Sequence, residues 1–186
     1  MSGAQLPLPG QPLRSADFYP TPAWVTRTLL PYLPNRPATI AEPCLGKGAI
    51  ARVLLDAGYQ VEGSDVHAYD GIPKKVLRRF PRDARNAAEM LATYQHVDAI
   101  VTNPPFSISF EIAQALVATG RTTWLLLRLG WLGSSRRAPW LREHRPCLLV
   151  LSKRPSFTGG AADHSEYGWF GWNAGPPEVW FPEILK

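Results

Sequence analysis

The chain has 186 residues, of which 45% are hydrophobic, and a formal net charge of +5. This length and composition are typical of one globular domain with a substantial core, and no apolar run is long enough to span a bilayer. Its two cysteines, Cys44 and Cys147, lack the spacing of a disulfide framework or a zinc site. The first residues do not resemble a signal peptide, so we expect a cytoplasmic protein with no membrane partner.

The N-terminal segment is rich in Pro, Gly and Leu. It predicts a flexible tail over residues 1–16, followed by a single domain over residues 17–186. Within that domain, Thr21 is placed to cap a helix that has Pro22 at its first position and ends at Pro31.

A strand, a glycine turn and a helix follow. Residues 39–41 predict a short strand, and apolar residues at helical spacing predict a helix that ends before Gly58. Between them lies the turn Glu42-Pro43-Cys44-Leu45-Gly46-Lys47-Gly48. Its glycines, Gly46 and Gly48, allow the backbone to approach a ligand closely.

The acidic residue of this turn indicates the kind of ligand. The third glycine of a dinucleotide fingerprint is absent, because residue 51 is alanine. Glu42 would repel a pyrophosphate but attract a cationic amino-acid moiety, so the turn favours S-adenosylmethionine over NAD. Asp65 ends the next predicted strand, residues 60–65, about 20 residues after Gly46, which is the spacing of an acid that contacts ribose hydroxyls. The alternative role for Asp65 is that of a turn or cap residue.

The region after this strand gives weaker signals. Residues 80–84 predict a short third strand whose end presents Asp83 to the cofactor adenine, with an exposed salt bridge as the alternative. Basic residues are also clustered here and again near the C-terminus. The two clusters are Lys74, Lys75, Arg78, Arg79, Arg82 and Arg85, and Arg136, Arg137, Arg142, Arg145, Lys153 and Arg154. Such clusters usually form a solvated face, but beside a base-sized site they favour a phosphate backbone.

The segment Asn103-Pro104-Pro105-Phe106 carries the strongest chemical signal. The apolar run before it predicts a buried parallel strand over residues 97–102, and Ser107 or Ser109 can cap the helix that follows. Asn103 is therefore expected at the carboxyl end of a strand, where open α/β sheets bind their ligands.

The two prolines stiffen this turn and have no N–H to donate. The side-chain oxygen of Asn103 and the main-chain carbonyl of Pro104 are thus acceptors for both hydrogens of a planar NH2 group, and Phe106 can stack on its ring. These bonds would draw the exocyclic amine of adenine toward tetrahedral geometry and free its lone pair. The alternative is a strand-ending loop with a core phenylalanine.

The rest of the chain predicts the end of a sheet. Residues 122–129 form an apolar strand interrupted only by Arg128, and a helix follows over residues 134–144. Residues 147–151 predict a buried strand that pairs antiparallel with residues 166–172. The Gly-rich loop between these two strands is expected at the mouth of the site.

Together these motifs resemble class I S-adenosylmethionine-dependent methyltransferases, specifically DNA amino-methyltransferases of the adenine-N6 type, and most of all the small phage-encoded ones. The matching segments stand in the family's order: Phe18-Tyr19-Pro20-Thr21-Pro22, the Glu42–Gly48 turn, Asp65, Asn103-Pro104-Pro105-Phe106, Arg154-Pro155-Ser156-Phe157 and Tyr167-Gly168-Trp169-Phe170. The resemblance implies a Rossmann-like α/β fold. Its sheet would be mostly parallel and seven-stranded, with an antiparallel C-terminal strand and helices on both faces.

The resemblance also implies roles for individual residues. Cofactor contacts would come from Tyr19, Thr21, Glu42, Pro43, Gly46, Gly48, Asp65 and Asp83, and the target base would be held by Asn103, Pro104, Pro105 and Phe106. The cofactor is S-adenosyl-L-methionine, which becomes S-adenosyl-L-homocysteine, and no metal is required. The target adenine is flipped out of double-stranded DNA, and its amine attacks the methyl group directly. A phage-encoded member would act in the host cytoplasm.

Several alternatives stay open at this stage. Enzymes that methylate cytosine N4, RNA adenine or a protein glutamine amide act on similar planar NH2 groups, and a scaffold that binds nucleic acid without catalysis is a candidate of another class. Larger family members carry a separate target-recognition domain, and we expect none in this chain. We therefore expect the basic clusters and the Gly-rich loop to read DNA, with short or relaxed specificity. The oligomeric state is either monomer or dimer.

Overall fold

A computed structural model describes residues 20–157 and 163–182 of the chain. The predicted tail, Tyr19 and the tip of the Gly-rich loop lie outside these residues. The strands are β1 (Thr39–Glu42), β2 (Gln60–Gly63), β3 (Leu77–Arg78), β4 (Ala99–Thr102), β5 (Thr122–Arg128), β6 (Cys147–Val150), β7 (Tyr167–Trp172) and β8 (Val179–Trp180). The α-helices are α1 (Ala23–Leu29), α2 (Ala49–Asp56), α3 (Ala87–Tyr94), α4 (Ser109–Val117) and α5 (Ala138–Glu143).

The strands form a single eight-stranded sheet in the order β3-β2-β1-β4-β5-β7-β6-β8. Strands β1 to β5 are parallel to one another, whereas β7 runs antiparallel to both β5 and β6. The predicted α/β sheet and its antiparallel C-terminal strand are confirmed. Strand β8, which pairs with β6 in parallel, adds one strand to the seven that were predicted.

The order of the strands creates a crevice at one edge of the sheet. The chain proceeds from β1 to β2 on one side and later returns to β4 on the other side, so the direction of winding reverses between β1 and β4. Open α/β sheets bind ligands at such a switch point, outside the carboxyl ends of the strands. The segments that leave β1 and β4 are the glycine turn and the Asn103-Pro104-Pro105-Phe106 turn.

Apolar residues cover both faces of the sheet. In β4, the successive residues Ile100 and Val101 are both fully buried and belong to different core clusters, because neighbouring side chains of a strand point to opposite faces. Helices α1 and α2 pack on one face, whereas α3 and α4 pack on the other. This two-sided burial explains the continuous apolar runs of the central strands. In the described part of the chain, every helix is too short or too polar to cross a membrane.

Two predicted helix caps are wrong, and both side chains bind the Asn103–Phe106 turn instead. Helix α1 is preceded by Pro22 without a side-chain cap, and the Thr21 hydroxyl accepts a hydrogen bond from Asn103 Nδ2 (3.1 Å). Ser109 is the first residue of α4, and its Oγ donates to the carbonyl of Phe106 (2.9 Å). A long-range bond from Asn103 thus replaces the predicted Thr21 cap, and Ser109 bonds back to a carbonyl three residues earlier instead of capping the helix.

The predicted third strand is misplaced. Strand β3 consists of Leu77–Arg78 and not of residues 80–84, where Pro81 supplies no N–H for a ladder. The chain still runs alongside the exit of β2, because the Arg82 N–H donates to the carbonyl of Asp65 (3.0 Å).

Helix boundaries differ in two further places. The helix predicted over residues 134–144 is confined to α5, because a turn over residues 134–137 comes first. Helix α3 was not predicted, although Asn86 caps it by accepting a hydrogen bond from the Glu89 N–H (3.2 Å).

Gly171 in β7 allows the antiparallel strands to pack tightly. A methyl group added there would lie 2.6 Å from Cys147 Sγ and 2.6 Å from the Trp124 ring. We expect Gly171→Ala to lower the free energy of unfolding by about 1–3 kcal/mol through overpacking, measured by urea denaturation. The control is Gly133→Ala, whose nearest neighbour would be 3.7 Å away. Equal losses in both variants would contradict this packing.

Candidate active site

The glycine turn between β1 and α2 depends on backbone conformations that favour glycine. Gly46 has a φ of 50° and Gly48 has a φ of 75°. A Cβ at Gly48 would also lie 2.9 Å from Cδ of Pro73. Both predicted glycines therefore shape the turn, and the space beside Gly48 admits no side chain.

Glu42 is the last residue of β1, and only 2% of it is exposed. Its Oε2 accepts a hydrogen bond from the N–H of Ala51 in α2 (2.9 Å). Burial raises the pKa of Glu42 well above its ordinary value, and the nearby charge of Asp65 raises it further, whereas the bond from Ala51 opposes the shift. The turn therefore contains a buried acid whose charge lacks full compensation.

Asp65 lies just beyond β2 and closes the turn from the other side. Its Oδ2 accepts a hydrogen bond from the Gly46 N–H (2.9 Å), and its Oδ1 accepts one from the His67 N–H (3.1 Å). Burial raises the pKa of Asp65 in spite of these bonds. Glu42, Gly46 and Asp65, which the sequence predicts as one site, thus surround the same turn.

The Asn103–Phe106 turn leaves β4 directly beside the glycine turn. Thr102, the last residue of β4, is fully buried, and its Oγ1 accepts a hydrogen bond from the Cys44 N–H (3.2 Å). Asn103 is half-buried and Pro104 is buried. Because Asn103 Nδ2 donates to Thr21, the carbonyl oxygen of the same amide faces away from Thr21.

Phe106 is held in place through its backbone and its ring. Its carbonyl accepts the hydrogen bond from Ser109 Oγ, and the Trp131 indole N–H donates to that same Oγ (3.0 Å). The Arg128 guanidinium lies 4.9 Å from the ring centroid on one face, and the Tyr167 ring is 5.7 Å away. One face of the Phe106 ring is therefore in contact with a cation.

Arg128 is itself part of a hydrogen-bonded chain. Its Nε donates to the Tyr167 hydroxyl (3.0 Å), which donates to Asp163 Oδ2 (2.8 Å). Burial raises the pKa of Tyr167 to about 12, so this hydroxyl keeps its proton near neutral pH. Sequence reasoning did not assign Arg128 to the site. The signal that marks it is the single charge at the end of an otherwise apolar strand.

Asp83 forms an ion pair with Arg85 (2.6 Å), as the alternative interpretation of the sequence expects. Hydrogen bonding from Arg85 holds the pKa of Asp83 below its ordinary value. The Asp83 charge also contributes to raising the pKa of Cys44 in the glycine turn, so Asp83 is within electrostatic reach of that turn.

Both basic clusters are partly neutralised by acids. The ion pairs are Arg79–Glu62, Arg82–Glu89 and Arg85–Asp83 in the first cluster, and Arg136–Glu111 and Arg154–Glu166 in the second. These pairs leave less positive charge for a phosphate backbone than the sequence suggests. Among residues 20–157 and 163–182, no three His, Cys, Asp or Glu side chains are grouped closely enough to hold a metal ion.

The sequence matches no family model and no curated protein. Solved structures do share its fold. A protein described as a modification subunit of a type I restriction enzyme from Vibrio vulnificus YJ016 is 13% identical, with a TM-score of 0.61 over 88% of this chain and 46% of its own. A TehB-like SAM-dependent methyltransferase from Corynebacterium glutamicum is 16% identical, with a TM-score of 0.53 over 82% of this chain and 88% of its own. A protein described as a class I S-adenosylmethionine-dependent methyltransferase from Listeria monocytogenes is 12% identical, with a TM-score of 0.57 over 94% of this chain and 66% of its own.

At these identities the similarity establishes the fold. The predicted Rossmann-like class I methyltransferase fold is confirmed, with helices around a mostly parallel sheet. The chain spans 46% of the Vibrio protein and 66% of the Listeria protein, so the activities of those whole proteins do not transfer by similarity alone.

The buried carboxyl group of Glu42 makes stability depend on pH. Because its pKa is raised in the folded state, its contribution to stability is complete below the unfolded pKa of about 4.3 and is lost as pH rises through the folded pKa. Glu42→Gln retains an oxygen for Ala51 and carries no charge. We expect the variant to be more stable than wild type at pH 8, and the gap to close near pH 4.

Thermal unfolding of wild type and Glu42→Gln at pH values between these two limits measures the difference in stability. The control is Glu143→Gln, which changes an exposed residue at the end of α5 and should show no such pH dependence. If Glu42→Gln is less stable than wild type at pH 8, the carboxylate is compensated in the folded protein and this description of the site is wrong.

Proposed function

We propose that this protein is an S-adenosylmethionine-dependent methyltransferase that methylates the N6 amine of adenine in DNA. The observation that carries the proposal is the adjacency of two turns at the switch point of the sheet. The Cys44–Thr102 hydrogen bond joins the glycine turn to the end of β4, from which the Asn103–Phe106 turn begins. A methyl donor in the first turn and an amine in the second would therefore lie side by side.

The residues of the glycine turn fit the proposed cofactor. Glu42 is a buried acid with an incompletely compensated charge, and a cationic amino-acid moiety would restore the ionised form. Asp65, just beyond β2, would accept hydrogen bonds from ribose hydroxyls in exchange for its bond to Gly46. Gly46 and Gly48 hold the turn in positive-φ conformations, and Pro43 is buried in the same turn.

Three further residues are proposed to contact the cofactor. Tyr19 lies outside the described residues, and its role rests on the sequence resemblance. Thr21 is hydrogen-bonded to Asn103, and Asp83 lies within electrostatic reach of Cys44 in the glycine turn. When bound, S-adenosylmethionine supplies an electrophilic methyl group attached to a sulfonium centre.

The second turn is suited to a planar amine. The Asn103 amide oxygen and the Pro104 carbonyl would accept the two hydrogens of N6, leaving its lone pair free to attack. Pro105 keeps the turn rigid and offers no competing N–H. The Phe106 ring, which Arg128 contacts on one face, would stack on the flipped base.

The chemistry needs no covalent intermediate on the protein. The cysteine of the glycine turn, Cys44, is a poor nucleophile, because burial raises the pKa of its thiol and keeps it protonated. Direct attack by the amine would form the N6–CH3 bond as the sulfonium S–CH3 bond breaks, and the surplus N6 proton would pass to solvent. The protein's part is to hold, orient and desolvate the reacting groups.

The choice of DNA rests on two supports. The remaining positive charge of the basic clusters favours a nucleic acid over a protein amide, and the similar Vibrio protein is described as a restriction-enzyme modification subunit. Cytosine N4 and RNA adenine carry amines of the same geometry, so they are the outcomes against which the proposal is tested.

The direct test uses S-adenosylmethionine with a labelled methyl group and separate DNA, RNA and protein substrates. Labelled DNA is then digested to nucleosides. We expect N6-methyladenine in duplex DNA, and sequencing of the methylated sites identifies the target. Label found only in RNA or protein, or N4-methylcytosine as the product, would refute the assignment. Calorimetry that detects no cofactor binding would favour a non-catalytic scaffold.

Asn103 is expected to act on the amine and not on the cofactor. Asn103→Ala removes a hydrogen-bonding group at the reacting centre, so we expect kcat to fall by about 10²–10³ with an unchanged cofactor dissociation constant. Asn35→Ala, at an exposed loop position before β1, is the control and should retain full activity. Retained activity in Asn103→Ala would place the chemistry elsewhere.

Thr21 is expected to orient the Asn103 amide through the hydrogen bond from Nδ2. Thr21→Val removes the accepting oxygen while keeping the shape, so we expect kcat to fall by about tenfold. Thr21→Ser keeps the oxygen and should restore most of kcat. A weaker cofactor affinity with unchanged kcat would show that Thr21 serves the cofactor contact alone and does not orient Asn103.

A further inference from the structure

A cleft of about 440 Å³ opens beside Phe106. It lies on the side of the Asn103–Phe106 turn that faces the end of β5, away from β1. Its lining includes Phe106, Arg128, Trp131, Arg137 and Glu166. This volume is within the usual range of about 300–1,000 Å³ for small-ligand sites. Aromatic rings and guanidinium groups together suit a ligand with a flat part and an anionic part.

Arg137 is fixed in this cleft by the Trp131 residue. Its Nε donates to the Trp131 carbonyl (2.6 Å), and its guanidinium carbon lies 4.9 Å from the centre of the Trp131 rings. The other end of Trp131 donates to Ser109, which binds the carbonyl of Phe106. A continuous chain of hydrogen bonds therefore sets the position of Arg137 relative to the turn.

The charge of Arg137 is not balanced within the described residues. No carboxylate of residues 20–157 or 163–182 is within ion-pair distance of its guanidinium, whereas Arg136 next to it binds Glu111 (2.6 Å). Burial lowers the pKa of Arg137, and the positive charge of Arg136 lowers it further. A bound anion would reverse both effects.

The acids near the cleft are already engaged. Glu166 is paired with Arg154, and Asp163 accepts the Tyr167 hydroxyl and lies 3.7 Å from the Arg128 guanidinium. With these charges matched, Arg137 is the main source of positive potential in the cleft. Its Nε is occupied, but the two terminal nitrogens of a guanidinium can form a bidentate contact with an oxyanion.

We propose that Arg137 binds a backbone phosphate next to the flipped nucleotide, so that the cleft beside Phe106 receives the phosphodiester while the Asn103–Phe106 turn holds the base. This assignment rests on the proposed function and makes it more specific. A substrate that fits must carry its amine and an anion a short distance apart. A polynucleotide meets this requirement and a glutamine side chain does not.

The test compares wild type, Arg137→Gln and a matched control, Arg142→Gln, which removes the same charge from an exposed position on α5. Each protein is first assayed for methyl transfer to duplex DNA. Binding of a duplex that carries the mapped target adenine is then measured by fluorescence anisotropy with S-adenosylhomocysteine present. Each phosphate flanking the adenine is replaced in turn by a neutral methylphosphonate.

At one phosphate, we expect neutralisation to weaken binding of wild type and Arg142→Gln by about tenfold. Arg137→Gln should bind the unmodified duplex about tenfold more weakly than wild type. Neutralising that phosphate should not weaken its binding further, because the two changes remove the same contact and their effects are not additive. Its KM for DNA should rise while kcat and the cofactor dissociation constant stay within about twofold of wild type, because the contact lies outside the reacting centre.

Three outcomes would overturn the assignment. If neutralising that phosphate weakens binding of Arg137→Gln as much as it weakens binding of wild type and Arg142→Gln, Arg137 contributes only general charge. If deoxyadenosine 5′-monophosphate is methylated as efficiently as the duplex, the anion belongs to a free nucleotide. If wild type methylates no DNA, the proposed function itself is wrong and the phosphate assignment falls with it.

Discussion

The candidate site depends on two parallel strands that end side by side. Strands β1 and β4 are neighbours, and the chain turns outward from each at the same edge of the sheet. The fully buried Thr102 joins these exits, because its hydroxyl binds the backbone of Cys44. Without this adjacency the glycine turn and the Asn103–Phe106 turn would be separate loops with no shared chemistry.

The Asn103–Phe106 turn is held rigid by contacts with other residues as well as by its own prolines. Thr21, from before the first helix, binds the Asn103 side chain, and Ser109 links the Phe106 carbonyl to Trp131. Arg128, from the end of β5, covers one face of the Phe106 ring. Thr21, Ser109 and Arg128 therefore hold the amide, the carbonyl and the ring in one arrangement, as a pre-organised site requires.

The charged groups in the crevice destabilise the protein without ligand, and a bound ligand of opposite charge would stabilise them. Glu42 and Asp65 are buried or half-buried acids whose pKa values are raised by burial, and Arg137 is a half-buried base whose pKa is lowered. Each of these groups would gain from an opposite charge. The acids face the glycine turn and the base faces the cleft beside Phe106, so the site is suited to a cationic ligand on one side and an anionic one on the other.

Local patterns in the sequence determined most of the strands, the two turns and the acids at the strand ends, because continuous apolar runs, glycine φ values and proline stiffness act over a few residues. The residues 80–84 strand and the Thr21 and Ser109 caps were wrong, since Pro81 cannot join the ladder and both side chains bond to the Asn103–Phe106 turn instead. Only the tertiary structure brought Arg128 to the Phe106 ring and left Arg137 without a described counter-ion. Which partner a charged or hydroxyl side chain selects depends on chain segments far away in sequence, and no local pattern encodes that choice.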